Sequence, residues 1–193
     1  TYLENKSKNN FSFGSTRNSN TLKKINFIHK ISDLYLFEVI GNDQIKTNWS
    51  ENFQDKNYDI KDYSINPKLT YFSGENNRIN FIYKLSNISN LIGNQEYLKQ
   101  QNFGISLFLN QKEKRGFISE FNYYKNEFNG ELNSVISYVM MNGLQKGENY
   151  TWSLKFQRKL SKLLDINFIY LGRKSNSLRT IHNGSIQLKA IFW

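Results

Sequence analysis

A chain of 193 residues with one proline and no cysteine has the size of one domain, and it excludes a disulfide framework, a thiolate metal site and a cysteine nucleophile. Its mean hydropathy of −0.64 would suit a soluble protein, but 16% of its residues are aromatic, a pairing expected where alternate residues of each strand meet lipid and the others meet water. The formal charge of +10 comes from lysines and arginines spread along the whole length; with no dense basic block, nucleic acid is not an expected partner, and no apolar run approaches the roughly 18 residues of a spanning helix.

Residues 1 to 20 are rich in Asn, Ser and Lys, and Phe11 and Phe13 share a face that predicts a strand from about Lys6 to Thr16. Ile25, Phe27, His29 and Ile31 alternate with Asn26, Ile28 and Lys30, and Ile31-Ser32-Asp33 reads as a tight turn into a strand from Leu34 to about Trp49. Gly41-Asn42-Asp43 reads as a bulge or as that strand's end. Residues 50 to 62 look like a charged loop. Tyr63, Ile65, Pro67, Leu69 and Tyr71 then share a face, with Pro67 pointing to a rim position or a locally broken pairing. Gly74 to Asn77 turns the chain into Ile79, Phe81, Tyr83 and Leu85, and residues 87 to 97 form a further loop.

Phe103, Ile105, Leu107 and Leu109 alternate with polar neighbours, and the charged turn Lys112-Glu113-Lys114 leads to Phe117, Phe121 and Tyr123. The longest connection, Asn129 to Gly147, has an apolar middle from Val135 to Met141 that needs cover. It is expected to plug a barrel mouth or to meet a partner, which makes Tyr138, Met140 and Met141 the outer-loop partner site. Three long alternating strands close the chain: Tyr150, Trp152, Leu154 and Phe156; then, past a turn at Ser161-Lys162-Leu163, Leu164, Ile166, Phe168 and Tyr170; then, past Lys174 to Thr180, a strand from Ile181 to Trp193 with Ile186, Leu188, Ala190 and Phe192 on one side.

Trp152, the run Gly172-Arg173-Lys174-Ser175, the spacing His182-x-Gly184-x-x-Gln187 and the closing Phe192 resemble the C-terminal strands of outer-membrane barrel proteins of Bacteroidetes-type bacteria. The resemblance implies an outer-membrane location and a last strand read by the barrel-assembly machinery, with Leu188, Ala190, Phe192 and Trp193 as the assembly signal. Phe192 is the aromatic in phase with Leu188 and Ala190, and Trp193 is one residue beyond it.

Short turns near Ser32, Asn76, Glu113 and Lys162 alternate with long connections near Phe53, Leu91, Ile136 and Ser177, as barrels with short inner turns and long outer loops require. The expected fold is all-β: an antiparallel up-and-down transmembrane β-barrel of about ten strands, or the C-terminal part of a larger barrel, with residues 1–193 as one barrel domain or segment. Thr1 does not open a signal peptide, so the chain reads as mature or as a segment. Facing inward, Lys68, Lys84, Glu120, Lys155 and Gln157 are the candidate lumen lining, within an internal hydrogen-bonded network or along a narrow anion-favouring passage.

No metal, cofactor or catalytic residue is expected. His29 and His182 lie far apart in sequence without ligand spacing, and the serines near His182 (Ser175, Ser177 and Ser185) lack an ordered acid for a triad. The expected role is a transport or export channel component in the bacterial outer membrane. The alternatives are a structural or adhesion barrel binding through its outer loops, and a membrane-embedded lipid hydrolase using His182. The expected partners are outer-membrane lipid, the barrel-assembly machinery and a surface lipoprotein or other envelope subunit.

Overall fold

Alternation along each segment becomes strand, and short connections let each strand pair with the one before it. The computed structural model describes residues 1–11, 14–74, 76–111, 115–161, 163–176 and 178–190. Among them, ten antiparallel strands form one sheet in sequence order: β1 (Tyr2–Phe11), β2 (Gly14–Lys30), β3 (Tyr35–Ser50), β4 (Tyr58–Phe72), β5 (Asn77–Asn90), β6 (Tyr97–Gln111), β7 (Arg115–Asn129), β8 (Gly147–Lys159), β9 (Leu164–Ser175) and β10 (Ile181–Ala190). One short helix, α1 (Val135–Met140), interrupts the series between β7 and β8.

Burial is inverted relative to a soluble protein. Ser64, Thr70, Asn80, Ser86, Gln100 and Ser106 are buried, whereas Ile65, Phe81 and Phe103 are 49%, 50% and 50% exposed. Buried polar groups beside exposed large apolar ones identify the medium on each side: the concave face is wet and the convex face meets hydrocarbon. Register carries the division across the sheet. Residues with even numbers face inward from β2 to β7, and residues with odd numbers do so from β8 to β10, as in the row Thr70, Asn80, Ser106, Glu120, Ser153, Leu171.

Rows of outward aromatics follow the same register. Tyr83, Phe103, Tyr123 and Tyr150 stand opposite one another on β5 to β8, with ring centroids 4.5, 6.4 and 5.3 Å apart in turn. On the loop side of this row the outward positions turn polar at Gln101, Lys125 and Glu148. The row therefore marks the edge of the apolar belt, where amphipathic rings are favoured.

The expected strand from Lys6 to Thr16 is instead a hairpin: β1 pairs with β2 from Tyr2 opposite Lys23 to Phe11 opposite Gly14. Polar outward residues such as Lys6, Lys8, Arg17 and Ser19 lie beyond the belt, so this stretch lacks the alternation that marks the other strands. Phe11 and Gly14 pair at the outer ends of β1 and β2, the side on which β3, β5 and β7 also end, so the expected alternation of short inner and long outer connections has one exception. Gly41-Asn42-Asp43 is neither a bulge nor an end, for β3 pairs through it on both sides. Strands β4 to β6 also reach further outward than expected: there the outward residues, such as Asp59, Lys61 and Lys99, are polar, and the inward ones, Ile60, Ile88 and Leu98, are apolar and buried. Pro67 sits inside β4: the β4–β5 ladder lapses between Ile65 opposite Leu85 and Lys68 opposite Ile82, and resumes in the same register.

The inner turns are fixed locally. Ser32 Oγ accepts from the Leu34 amide at 3.2 Å, and Lys30 reaches Asp33 Oδ1 at 2.6 Å. The turn residues 112–114 and Lys162 lie outside the described residues, as do Phe192 and Trp193 of the expected assembly signal; Leu188 and Ala190 face outward at the end of β10, opposite Ile166 and Leu164.

Among the described residues, β1 and β10 do not pair with each other, and β10 is exposed along both faces. The sheet is thus an arc with two open edges. β2 is also uncovered on the β1 side beyond Lys23, and Ile25 there is 80% exposed.

Candidate functional site

The inner wall is built from short polar side chains joined across neighbouring strands. Thr70 Oγ1 donates to Asn80 Oδ1 at 2.9 Å, and Asn80 Nδ2 donates to Ser106 Oγ at 2.9 Å. Gln100 Nε2 donates to Asn126 Oδ1 at 2.8 Å, and Gln44 Nε2 to Asn20 Oδ1 at 2.8 Å. Among the described residues these inner bonds run between adjacent strands and do not span the concavity. The network therefore lines the wall and satisfies the groups it joins, while Asn66 Oδ1, Ser86 Oγ, Asn102 Oδ1 and Ser153 Oγ are buried on the same face without a protein partner.

Of the expected lining residues, Lys68 is paired to Glu38 on β3, directly opposite it in register. Lys84 faces inward opposite Asn102. Glu120 faces inward between Ser106 and Ser153. Lys155 and Gln157 face inward from β8, exposed on the wall opposite Ile118 and Gly116. Glu120 also borders a recess of about 500 Å³ together with Asn122, Thr151, Ser153 and Arg173. Glu38 and Arg173 were not among the expected lining residues: Glu38 is hidden in the nearly continuous apolar run from Leu34 to Ile40, and Arg173 falls where a loop begins to be expected. Counting alternate residues outward from Lys68 and Lys155 through the hairpins would have found both.

Over the outer mouth lies α1. Ser134 starts it, its Oγ accepting from the Ser137 amide at 3.0 Å, which supplies one of the bonds a helix N-terminus lacks. The helix then folds inward. Met140 and Met141, each 2% exposed, pack with Leu144 on Ile60, Ile88, Leu98 and Phe128 from β4 to β7, and α1 reaches the 3-10 turn Gln54–Lys56 between β3 and β4. Of the three residues expected in the outer loop, Met140 and Met141 pack on the protein's own inner wall, in the manner of the expected plug, and Tyr138, 67% exposed, is left outside. The loop is anchored at its far end, where Gln145 N donates to Asn149 Oδ1 at 3.0 Å and its carbonyl accepts from Asn149 and Asn126.

On the convex face, Trp152 lies over Gly172, so that a Cβ at Gly172 would fall inside the indole. His182 is beside them, its Nδ1 2.7 Å from Tyr170 Oη. Ser175 and Ser185 face the other side of the sheet, so neither can serve His182 as a nucleophile. Gly172→Val is expected to expel the Trp152 ring and cost about 1–3 kcal/mol; a lowered denaturation midpoint and a changed Trp152 emission, read with Trp49 and Trp193 replaced by Phe, check it. Among the described residues, no cluster of His, Cys, Asp or Glu could hold a metal.

No protein-family model and no curated protein matches the sequence. Solved structures do match its fold. The loop L8 deletion mutant of OmpT, an outer membrane protein of Vibrio cholerae, aligns with a TM-score of 0.62 over 97% of this chain and 62% of its own, at 8% identity. The chain has the fold of an outer-membrane β-barrel. In-vitro folded OmpT of Vibrio cholerae, in its trimer form, aligns at 0.61 over 97% and 64% at 9% identity, and outer-membrane expressed OmpT at 0.57 over 88% and 53%, also at 9%. The chain therefore spans less than two thirds of the length of these structures. Fold and apolar outer belt together fit the bacterial outer membrane.

Proposed function

We propose that this chain is part of the wall of an outer-membrane transport channel. The observation that carries the reading is the inner face: its polar groups bond sideways along the wall, leaving Lys84, Lys155, Arg173 and Glu120 turned towards the concavity. The reading is non-enzymatic, and it includes outer-membrane lipid and the barrel-assembly machinery as partners, the latter through Leu188, Ala190, Phe192 and Trp193. Planar-bilayer recording of the protein purified from outer membranes is expected to show stepwise ion conductance.

The cap formed by α1 favours a second reading, a structural or adhesion barrel closed at its mouth that meets a surface lipoprotein or another envelope subunit through exposed residues such as Tyr138. A folded, heat-modifiable protein that carries no current would decide for it.

A further inference from the structure

The charge on the inner wall is lopsided, and its arrangement points to a class of solute. Lys68 is neutralised by Glu38. Lys84, Arg173 and Lys155 form no ion pair among the described residues; the other inward carboxylates, Asp62 two rows above Lys84 and Asp165 opposite Lys159, are outnumbered by the inward cations, which also include Lys46, Arg78 and Lys159. Lys84, Arg173 and Lys155 stand at three different levels, counted down from the capped mouth along the register. Lys84 shares the row of Asn102, Tyr124 and Asn149. Arg173 shares the next, with Thr151, Asn122, Gly104 and the paired Lys68, and the Asn122 side chain lies over Gly104. Lys155 lies two rows further, on the row of Arg78 and Phe108. A single carboxylate, that of Glu120, occupies the row between Arg173 and Lys155.

Charges of one sign along a wall backed by hydrocarbon focus the field into the water beside them and concentrate counter-ions there. We infer that the passage along this wall selects small anions, with Lys84, Arg173 and Lys155 as a descending file of cationic stations. The inference rests on the channel reading and adds the sign of the solute to it. Binding at each station stays weak, because each ammonium or guanidinium is partly hydrated; an ion can therefore be handed on as well as attracted.

The test is the reversal potential of the protein purified from outer membranes, measured across a planar bilayer under a potassium chloride gradient. Chloride is expected to be several-fold more permeant than potassium. Replacing Lys84→Glu, Arg173→Glu and Lys155→Glu together is expected to bring the reversal potential through zero to the cation side, whereas Lys84→Arg, Arg173→Lys and Lys155→Arg keep its sign. Should the triple reversal not assemble, as judged by heat-modifiable mobility, Lys155→Glu alone, on the exposed part of the wall, is expected to move the potential in the same direction. A conducting protein that prefers potassium, or whose preference ignores these substitutions, overturns the inference and leaves the channel reading standing. A folded protein without current overturns both.

Discussion

Leu154→Arg is expected to cost the membrane-folded protein roughly 2–4 kcal/mol, whereas Ser153→Arg, one residue away, is expected to cost far less. Leu154 faces outward between Ser119 on β7 and Tyr170 on β9, with Trp152 and Phe156 on either side of it along β8. That places it within the apolar belt, where an arginine must leave its guanidinium in hydrocarbon or drag water and headgroups towards it. Ser153 faces the wet side directly opposite Glu120, so an arginine there gains a carboxylate partner and stays hydrated. Denaturant titration of both variants folded into lipid vesicles measures the difference. An equal loss of stability at the two positions would mean that the faces have been assigned the wrong way round.

The face division was legible in the sequence wherever one side of a strand meets lipid. Ile79, Phe81, Tyr83 and Leu85, or Leu164, Ile166, Phe168 and Tyr170, alternate because hydrocarbon tolerates nothing else at those positions. The same logic explains where the reading lapsed. Beyond the belt the outward face is wet, and at the outer ends of β4 to β6 the polarity of the two faces is reversed, with Asp59, Lys61 and Lys99 outward and Ile60, Ile88 and Leu98 inward, so these stretches read as loop. β1 and the first half of β2 lie beyond the belt too, with polar outward residues such as Lys6, Lys8, Arg17 and Ser19, so their hairpin reads as one strand. The helix α1 was illegible for a different reason. Six residues are too few to display a 3.6-residue period, and the capping serine at position 134 is a weak local signal without it.

Inside the wall, sequence located the right parity but not the pairing. Lys68 and Lys84 look alike in a list of alternating residues, and only the register sets Glu38 against Lys68 and leaves Lys84 opposite Asn102. A charged residue's use is decided by the strand beside it, and neighbours across a sheet are set by turn lengths that vary by one residue with no strong sequence mark. The candidate site therefore sharpened from a face into particular side chains only once the hairpins were aligned.

Met140→Asp is expected to lift α1 from the mouth, with more effect on current than on the sheet. Truncating a buried methionine alone costs about 2–5 kcal/mol. A carboxylate among Ile88, Leu98 and Phe128 adds the penalty of an unpaired buried charge. The sheet has no need of α1 for its own pairing, which runs strand to strand from β1 to β10. A helix of six residues, by contrast, is far below the roughly 12–15 residues at which isolated helices become even marginal, so its place depends on the apolar contacts of Met140, Met141 and Leu144. Losing them should free residues 130 to 146 to protease while the strands stay resistant, and unit conductance should rise. If the loop is cleaved and conductance stays the same, the cap does not obstruct the passage. If the loop stays protected, its anchorage is carried instead by the bonds of Gln145 to Asn149 and Asn126, and the apolar latch is not what holds the mouth closed.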